Sequence, residues 1–460
     1  MYDLCIRNGR LVTEAGVWPA DVYVREGKIS ALTDGDRWEA GEIVDAGGCY
    51  VFPGAVDAHV HFNDPGHTES EDFFTGSRAA AAGGVTCVME MPQTVPVVAD
   101  AESFRGKLAE AERKSVVDFG LYLALTPENI ADVEELCQLR PVGFKCFLSH
   151  SDEIGMLDDG MLYLGMQAVR RAGSRLSVHA ENQSLIDVLT AELRSRGRRD
   201  PLAHAEARPP LVELTAVQRT AALARETGAA VHIAHCSLPE AVDVVSQTRR
   251  CGHPVTVETA PHYLLLSLEA LGELGPYAKC NPPLRSDAVR RELWRRLSRG
   301  DVDMIASDHA PFTFAEKEAG SEDIWSAPSG LTAVQTMVPL VLSEGRRRGL
   351  SWRRLARLLC TGPARVFGLY PQKGSLRVGA DADMFLFDPD ASTSFRAENL
   401  WYKEPWTPFE DWTVKGRVVR TWIRGGMVFD GTEGEKGRIR VDRGYGRFVW
   451  PVAPGEEDEE

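Results

Sequence analysis

No stretch of the 460-residue chain approaches the roughly 20 consecutive apolar residues that cross a bilayer, which excludes an integral membrane helix. The amino terminus, Met1-Tyr2-Asp3-Leu4-Cys5-Ile6-Arg7-Asn8-Gly9, has no basic region followed by a long apolar segment, so the expectation is a soluble, cytoplasmic protein without a membrane partner. Positive charge is also in short supply: 52 Lys and Arg against 67 Asp and Glu leave a formal charge of -15. A phosphate backbone needs clustered cations, so nucleic acid is excluded as a partner. The basic runs Arg346-Arg347-Arg348 and Arg196-Gly197-Arg198-Arg199 lack interleaved aromatics and read as solvated helix faces or turns. Nine cysteines, an odd number without paired short spacing, exclude a disulfide framework and suit a reducing compartment. There is no short-period repeat, which removes the solenoids.

Apolar residues make up 43% of the chain, enough for a sizeable core, and the length fits one large barrel with a smaller appendage. The first fifty residues alternate in short strand-like pieces (Leu4-Cys5-Ile6-Arg7, Asp21-Val22-Tyr23-Val24, Lys28-Ile29-Ser30-Ala31-Leu32) separated by glycine turns. From about residue 54, apolar strand runs alternate with helical stretches such as Ala101 to Lys114, Leu211 to Thr227 and Asp287 to Arg299. That alternation predicts parallel βα units closed into a (β/α)8 barrel. Glycine-punctuated strands return in 374–379, 383–387 and 418–424. Isolated small sheets are marginal, so the two chain ends are expected to pair. The predicted organisation is an α/β protein with a β-sandwich from 1–53 plus 372–445, a barrel from 54–371, and an acidic C-terminal tail from 446–460 whose like-charge run 455–460 is expected to be disordered.

Asp57-Ala58-His59-Val60-His61 follows the apolar run 49–56. Strand side chains alternate faces, so two histidines two residues apart project together and can grip one cation. Downstream, Lys145, His179, His235 and Asp308 each lie in or close a short apolar run. Carboxyl ends of barrel strands converge on one mouth, where these residues would assemble a binuclear centre. Two divalent ions polarise a carbonyl and lower a bound water's pKa to about 7, giving a bridging hydroxide. An anion must join them. A buried lysine loses its proton readily, and the neutral amine of Lys145 can add carbon dioxide to give a carbamate with two ligating oxygens. Asp308 would bind one metal and shuttle the proton between nucleophile and leaving nitrogen. The plainer alternatives are a Lys145 paired with a carboxylate and an Asp308 that caps a helix. Alternation turns His232 to the face opposite His235, making it structural, and turns Cys146 and Cys236 away from the metal. Histidine, carboxylate and carbamate ligands suit zinc first, with cobalt, manganese or iron also accommodated.

With Gly143-Phe144-Lys145, His179-Ala180-Glu181-Asn182, His232-Ile233-Ala234-His235, Glu258-Thr259-Ala260-Pro261-His262-Tyr263 and Ser307-Asp308-His309-Ala310-Pro311 added to the pincer, the chain resembles the cyclic-amide branch of the amidohydrolase superfamily over nearly its whole length. Allantoinases, dihydropyrimidinases (hydantoinases) and dihydroorotases form that branch. The resemblance implies a barrel with a sandwich from both termini, a carbamylated Lys145, metal binding by His59, His61, His179, His235 and Asp308, and a homotetramer. Dihydroorotases typically carry an arginine where this chain has Asn63, and an asparagine where it has Gln93. Hydantoinases usually place a tyrosine where it has His150. The stretches 59–66, 143–147, 157–163 and 278–283 are similar to allantoinases, although Met91-Pro92-Gln93-Thr94 and Trp325-Ser326-Ala327-Pro328-Ser329-Gly330 depart from that group. Relatives contact the substrate ring near Asn281, Ser329 and Gly330, so the resemblance implies substrate contacts there and at Asn63 and His150. Hydrolysis of allantoin is the first expectation. Dihydropyrimidinase or dihydroorotase activity is the alternative, and a non-catalytic scaffold is a more distant one.

Overall fold

The computed structural model describes residues 1–151 and 153–451. Eight parallel strands hydrogen-bond in chain order: β1 (Ala55–Val60), β2 (Val85–Glu90), β3 (Asp118–Ala124), β4 (Gly143–Phe147), β5 (Arg175–His179), β6 (Ala230–Ile233), β7 (Val255–Thr259) and β8 (Met304–Ile305). Past β8 the chain runs on to β1, where His61 N donates to the His309 carbonyl at 2.7 Å, so the sheet nearly closes into a barrel. Strands covered on both faces read as continuous apolar runs, and every residue of β1, β2, β3 and β4 is buried.

Helices cover the outside, and local sequence sets their ends. Asp72 and Asp100 each cap a first turn in a reciprocal box, with Thr75 and Ser103 respectively. Helix Asp287–Arg299 buries only the stripe Leu293, Trp294 and Leu297. Helix Pro210–Thr227 starts on a proline and stops at Gly228, whose φ of 69° lies in the left-handed region glycine adopts freely.

Both chain ends build one nine-stranded mixed sheet. Strand Met384–Ser394 pairs antiparallel with Tyr50–Pro53, the segment that leads into β1. The sheet has its own core, including Leu4, Ile6, Val22, Leu386 and Trp422, separate from the barrel core. Between sheet and barrel, a Cβ on Gly54 would meet Thr86 Oγ1 at 2.0 Å, so only glycine fits against the Thr86 side chain.

Two features differ from expectation. Residues 374–379 are irregular and turn backbone rather than a strand; Gly374, at φ 68°, sits where an added Cβ would meet the Cys360 carbonyl. Residues 446–451, grouped by sequence with the acidic tail, instead dock beside β3: Val449 N donates to the Phe119 carbonyl at 2.8 Å and Phe448 bridges Phe119. The remainder of that tail, 452–460, lies outside the described residues.

A buried charge cluster fastens sheet to barrel. Lys373 Nζ reaches Asp381 at 2.8 Å, Asp383 at 2.7 Å and Asp118 of β3, while Arg424 also pairs with Asp118. The three carboxylates stand close enough to hold a metal ion, but the Lys373 ammonium already contacts all of them. Lys373→Met leaves buried carboxylates uncompensated and is expected to cost about 3–5 kcal/mol in urea unfolding; an unchanged midpoint would show that the cluster contributes nothing.

Candidate metal centre and active-site cavity

Every sequence-selected site residue lines one cavity of about 520 Å³ at the carboxyl ends of the barrel strands. His59 lies on β1 and His61 just beyond it, Lys145 on β4, and His179 closes β5. His235 and Asp308 follow β6 and β8 in left-handed backbone, with φ of 33° and 49°, and Asn63 has φ 59°. Strain of this kind costs about 1–3 kcal/mol per residue and persists where surrounding structure holds a side chain in place.

Two groups of ligand atoms face each other. His59 Nε2 and His61 Nε2 lie 3.3 Å and 3.6 Å from Asp308 Oδ1, and the three side chains form a set able to hold a cation. His179 Nδ1 lies 3.0 Å from His235 Nε2, and the rings of His59 and His235 are 5.2 Å apart. Lys145 joins the groups electrostatically, since its charge bears on His59, His179 and His235 alike. Its amine is fully buried, without a hydrogen-bond partner, and 5.2 Å from the Phe147 ring. Burial pushes its pKa down to about 8. The alternative of a Lys145 paired with a carboxylate fails on that missing partner.

Burial likewise lowers His59 to about 4, and lowers His179 and, further, His235. These imidazoles are therefore neutral, the state in which a histidine ligates a metal. His235 Nδ1 is also buried without a partner. Neutral rings, a carboxylate and an orphaned amine on one wall fit a divalent pair.

Sequence reasoning gave no role to the groups that orient these side chains. Glu258 of β7 takes a 2.6 Å hydrogen bond from His59 Nδ1, meets His232 Nε2 at 3.1 Å and accepts the His235 backbone N–H at 3.0 Å. One carboxylate thus orients the His59 ring and the backbone of His235. Glu181 contacts His179 Nε2 at 2.9 Å and is held by Arg208 at 2.6 Å. Asp57 Oδ1 accepts the Ser307 N–H at 2.9 Å, tying β1 to the segment that carries Asp308. A carboxylate two residues past a ligand, as in His179-Ala180-Glu181, was the available signal. His232 is structural, but it points into the barrel rather than away, because β6 ends at Ile233 and alternation no longer applies to His235. Cys146 and Cys236 are buried in the core around the barrel and do not line the cavity.

Residues 50–428 match the amidohydrolase family. The chain belongs to that family. An allantoinase of Rubrobacter xylanophilus is 41% identical over 454 residues, covering 98% of each chain. An L-hydantoinase of Paenarthrobacter aurescens is 36% identical over 455 residues, again covering 98% of each. Among solved structures, the L-hydantoinase (dihydropyrimidinase) of Arthrobacter aurescens superposes with a TM-score of 0.94 at 35% identity, covering 98% of this chain and all of that one. A D-hydantoinase follows at 0.91 and 29% identity, covering 98% of this chain and 99% of its own.

In this amidohydrolase the remaining wall is a loop held by two buried lysines. Lys317 Nζ donates to the carbonyls of Gly330 (2.7 Å), Pro328 (3.1 Å) and Pro276 (3.2 Å), and lies over the rings of Phe312 and Trp406. Lys279 Nζ donates to Ile324 O at 2.8 Å and to Ala327 O, while its own carbonyl accepts Gly330 N at 2.9 Å. Asn63 Nδ2 donates to Pro311 O at 3.0 Å, and Asn281 Oδ1 is buried without a partner. Burial depresses Lys317 to about 7 from an ordinary 10.5. The unfolded chain keeps that proton to higher pH than the folded one, so stability rises with pH across this window. Lys317→Met is expected to flatten the rise in urea midpoint between about pH 7 and 10; an identical slope in both proteins would refute it.

Proposed function

We propose that this amidohydrolase is a binuclear metal-dependent cyclic-amide hydrolase, and specifically an allantoinase that opens the hydantoin ring of allantoin to give allantoate. The observation that carries the metal reading is the buried, partnerless amine of Lys145 among neutral imidazoles. Its neutral amine would add to carbon dioxide with loss of a proton, and the carbamate would join His59, His61, Asp308, His179 and His235 in holding the ions. A pair of divalent ions, zinc first, would there draw a nucleophile from water near neutral pH and polarise the ring carbonyl. Asp308, beside both His59 and His61, takes the proton that water gives up and returns it to the ring nitrogen as the C–N bond breaks.

The choice of substrate is supported by a polar wall. Gln93 Nε2 donates to Ser151 Oγ at 3.2 Å and to Glu153 at 3.4 Å, and His150 stands beside them on the cavity rim. Such a wall suits the ureido arm of allantoin better than an apolar substituent. The 41% identity to an allantoinase agrees with it. Hydantoinase or dihydropyrimidinase activity is the second reading, favoured by the 0.94 superposition on an L-hydantoinase. Dihydroorotase activity is disfavoured by Asn63 in place of an arginine, and a non-catalytic scaffold by the complete ligand set.

Self-association, which the resemblance implies as a tetramer, would cover exposed Met161, Leu164, Val188 and Leu211. Nine free cysteines accord with the cytoplasm.

Two outcomes test the reading. Asp308→Ala is expected to lower kcat by about 10²–10⁴-fold with a nearly unchanged thermal melt; near-wild-type turnover would remove Asp308 from the proton path. In parallel assays of allantoin, hydantoin, dihydrouracil and dihydroorotate, allantoin is expected to give the highest kcat/KM. A preference for any other ring rejects the allantoinase assignment.

A further inference from the structure

We propose that a second cleft, between the terminal sheet and the last barrel helices, binds a small organic carboxylate with an apolar body. Its volume is about 490 Å³, close to that of the catalytic cavity, and the two share no lining residue. Pro53 on its wall precedes the amino end of β1, whereas His59 and His61 lie at the other end, about 20 Å away along an extended chain. A ligand there would not touch the metal centre.

Charge gives the first argument. Four guanidiniums, Arg353, Arg357, Arg365 and Arg377, line the cleft with a single carboxylate, Glu14. Glu14 is already engaged by Arg365 at 2.7 Å and by the Tyr370 hydroxyl at 3.2 Å. Among the described residues, Arg353 and Arg357 have no ion-pair partner, and Arg377 reaches only the Tyr370 hydroxyl at 3.5 Å. Elsewhere on this acidic chain exposed arginines are commonly matched, as with Arg291 and Asp287, Arg295 and Glu292, or Arg347 and Glu344. The unmatched arginines concentrate positive charge at one concave place on a protein of net charge -15.

Backbone and wall composition give the second and third. Arg357 and Thr361 begin and end a π-helical turn, an expensive conformation that recurs at functional sites. Much of the remaining wall is apolar, with Trp18, Leu32, Ala356, Leu376 and Val378. An inorganic anion would leave that wall uncovered. A carboxylate with a hydrocarbon or aromatic body satisfies the guanidiniums, which pair with carboxylates in a bidentate manner, and covers the wall as well.

The test is titration calorimetry on the metal-loaded full-length enzyme with phenylacetate, benzyl alcohol and inorganic phosphate as probes. Phenylacetate is expected to bind one per chain, more tightly than either other probe, without competing with the cyclic-amide substrate. The double variant Arg353→Gln/Arg357→Gln removes exposed, unpaired cations and is expected to weaken phenylacetate by about tenfold or more with turnover unchanged. Val378→Trp, at an exposed position on the wall, narrows the cleft without removing charge and is expected to weaken it as well. The proposal is overturned if phenylacetate fails to bind, binds no better than benzyl alcohol, is displaced by substrate, or binds both variants as it binds the wild type.

Discussion

A primary amine enclosed on every side without a hydrogen-bond partner is the constraint around which this molecule is arranged. Lys145 sits on an entirely buried strand, and an isolated ammonium there would cost several kcal/mol. The pKa depressed to about 8 eases that cost by making the proton readily lost, and the same desolvation keeps the surrounding imidazoles neutral. Neutral imidazoles and a nucleophilic amine thus arise from one physical cause, burial at the mouth of a nearly closed sheet.

The barrel supplies the enclosure, and the groups around the ligands supply direction. Glu258 links His59, His232 and the His235 backbone, so strands β1, β6 and β7 cannot shift independently without breaking a buried charged contact. Asp57 does the same between β1 and the Asp308 segment. The left-handed conformations of His235 and Asp308 are tolerated because these contacts over-determine them. The terminal sheet acts at a distance: Lys373 and Arg424 anchor it to Asp118 at the start of β3, at the end of the barrel away from the chemistry.

Much of this was legible in the residues. The helices at Ala101–Lys114 and Asp287–Arg299 coincide with the stretches read from their patterns, because caps and stripes are local signals. The positions that meet in the cavity, His59, His61, Lys145, His179, His235 and Asp308, were legible because polar residues stand out in apolar strand runs. Glu258 was visible as a motif member but had no assignable role, since its partners are scattered over β1, β6 and the chain beyond it. The lysine clamp on 324–330 was not legible at all: nothing near Lys279 or Lys317 in sequence indicates that both reach the same carbonyl-lined loop. Residues 374–379 misread as a strand because a glycine fitted to a tertiary contact looks, in one dimension, like a turn flanking a strand.

The central claim is that Lys145 gives up its proton readily enough to carry carbon dioxide between two cations. Native mass spectrometry of the intact enzyme, joined to elemental analysis, tests this most directly by comparing wild type with Lys145→Ala. The account predicts two divalent ions and one carbon dioxide adduct per wild-type chain, with the adduct absent and metal content reduced in the variant. A fully active wild-type protein with an unmodified Lys145, or a variant that retains both metals, would contradict it.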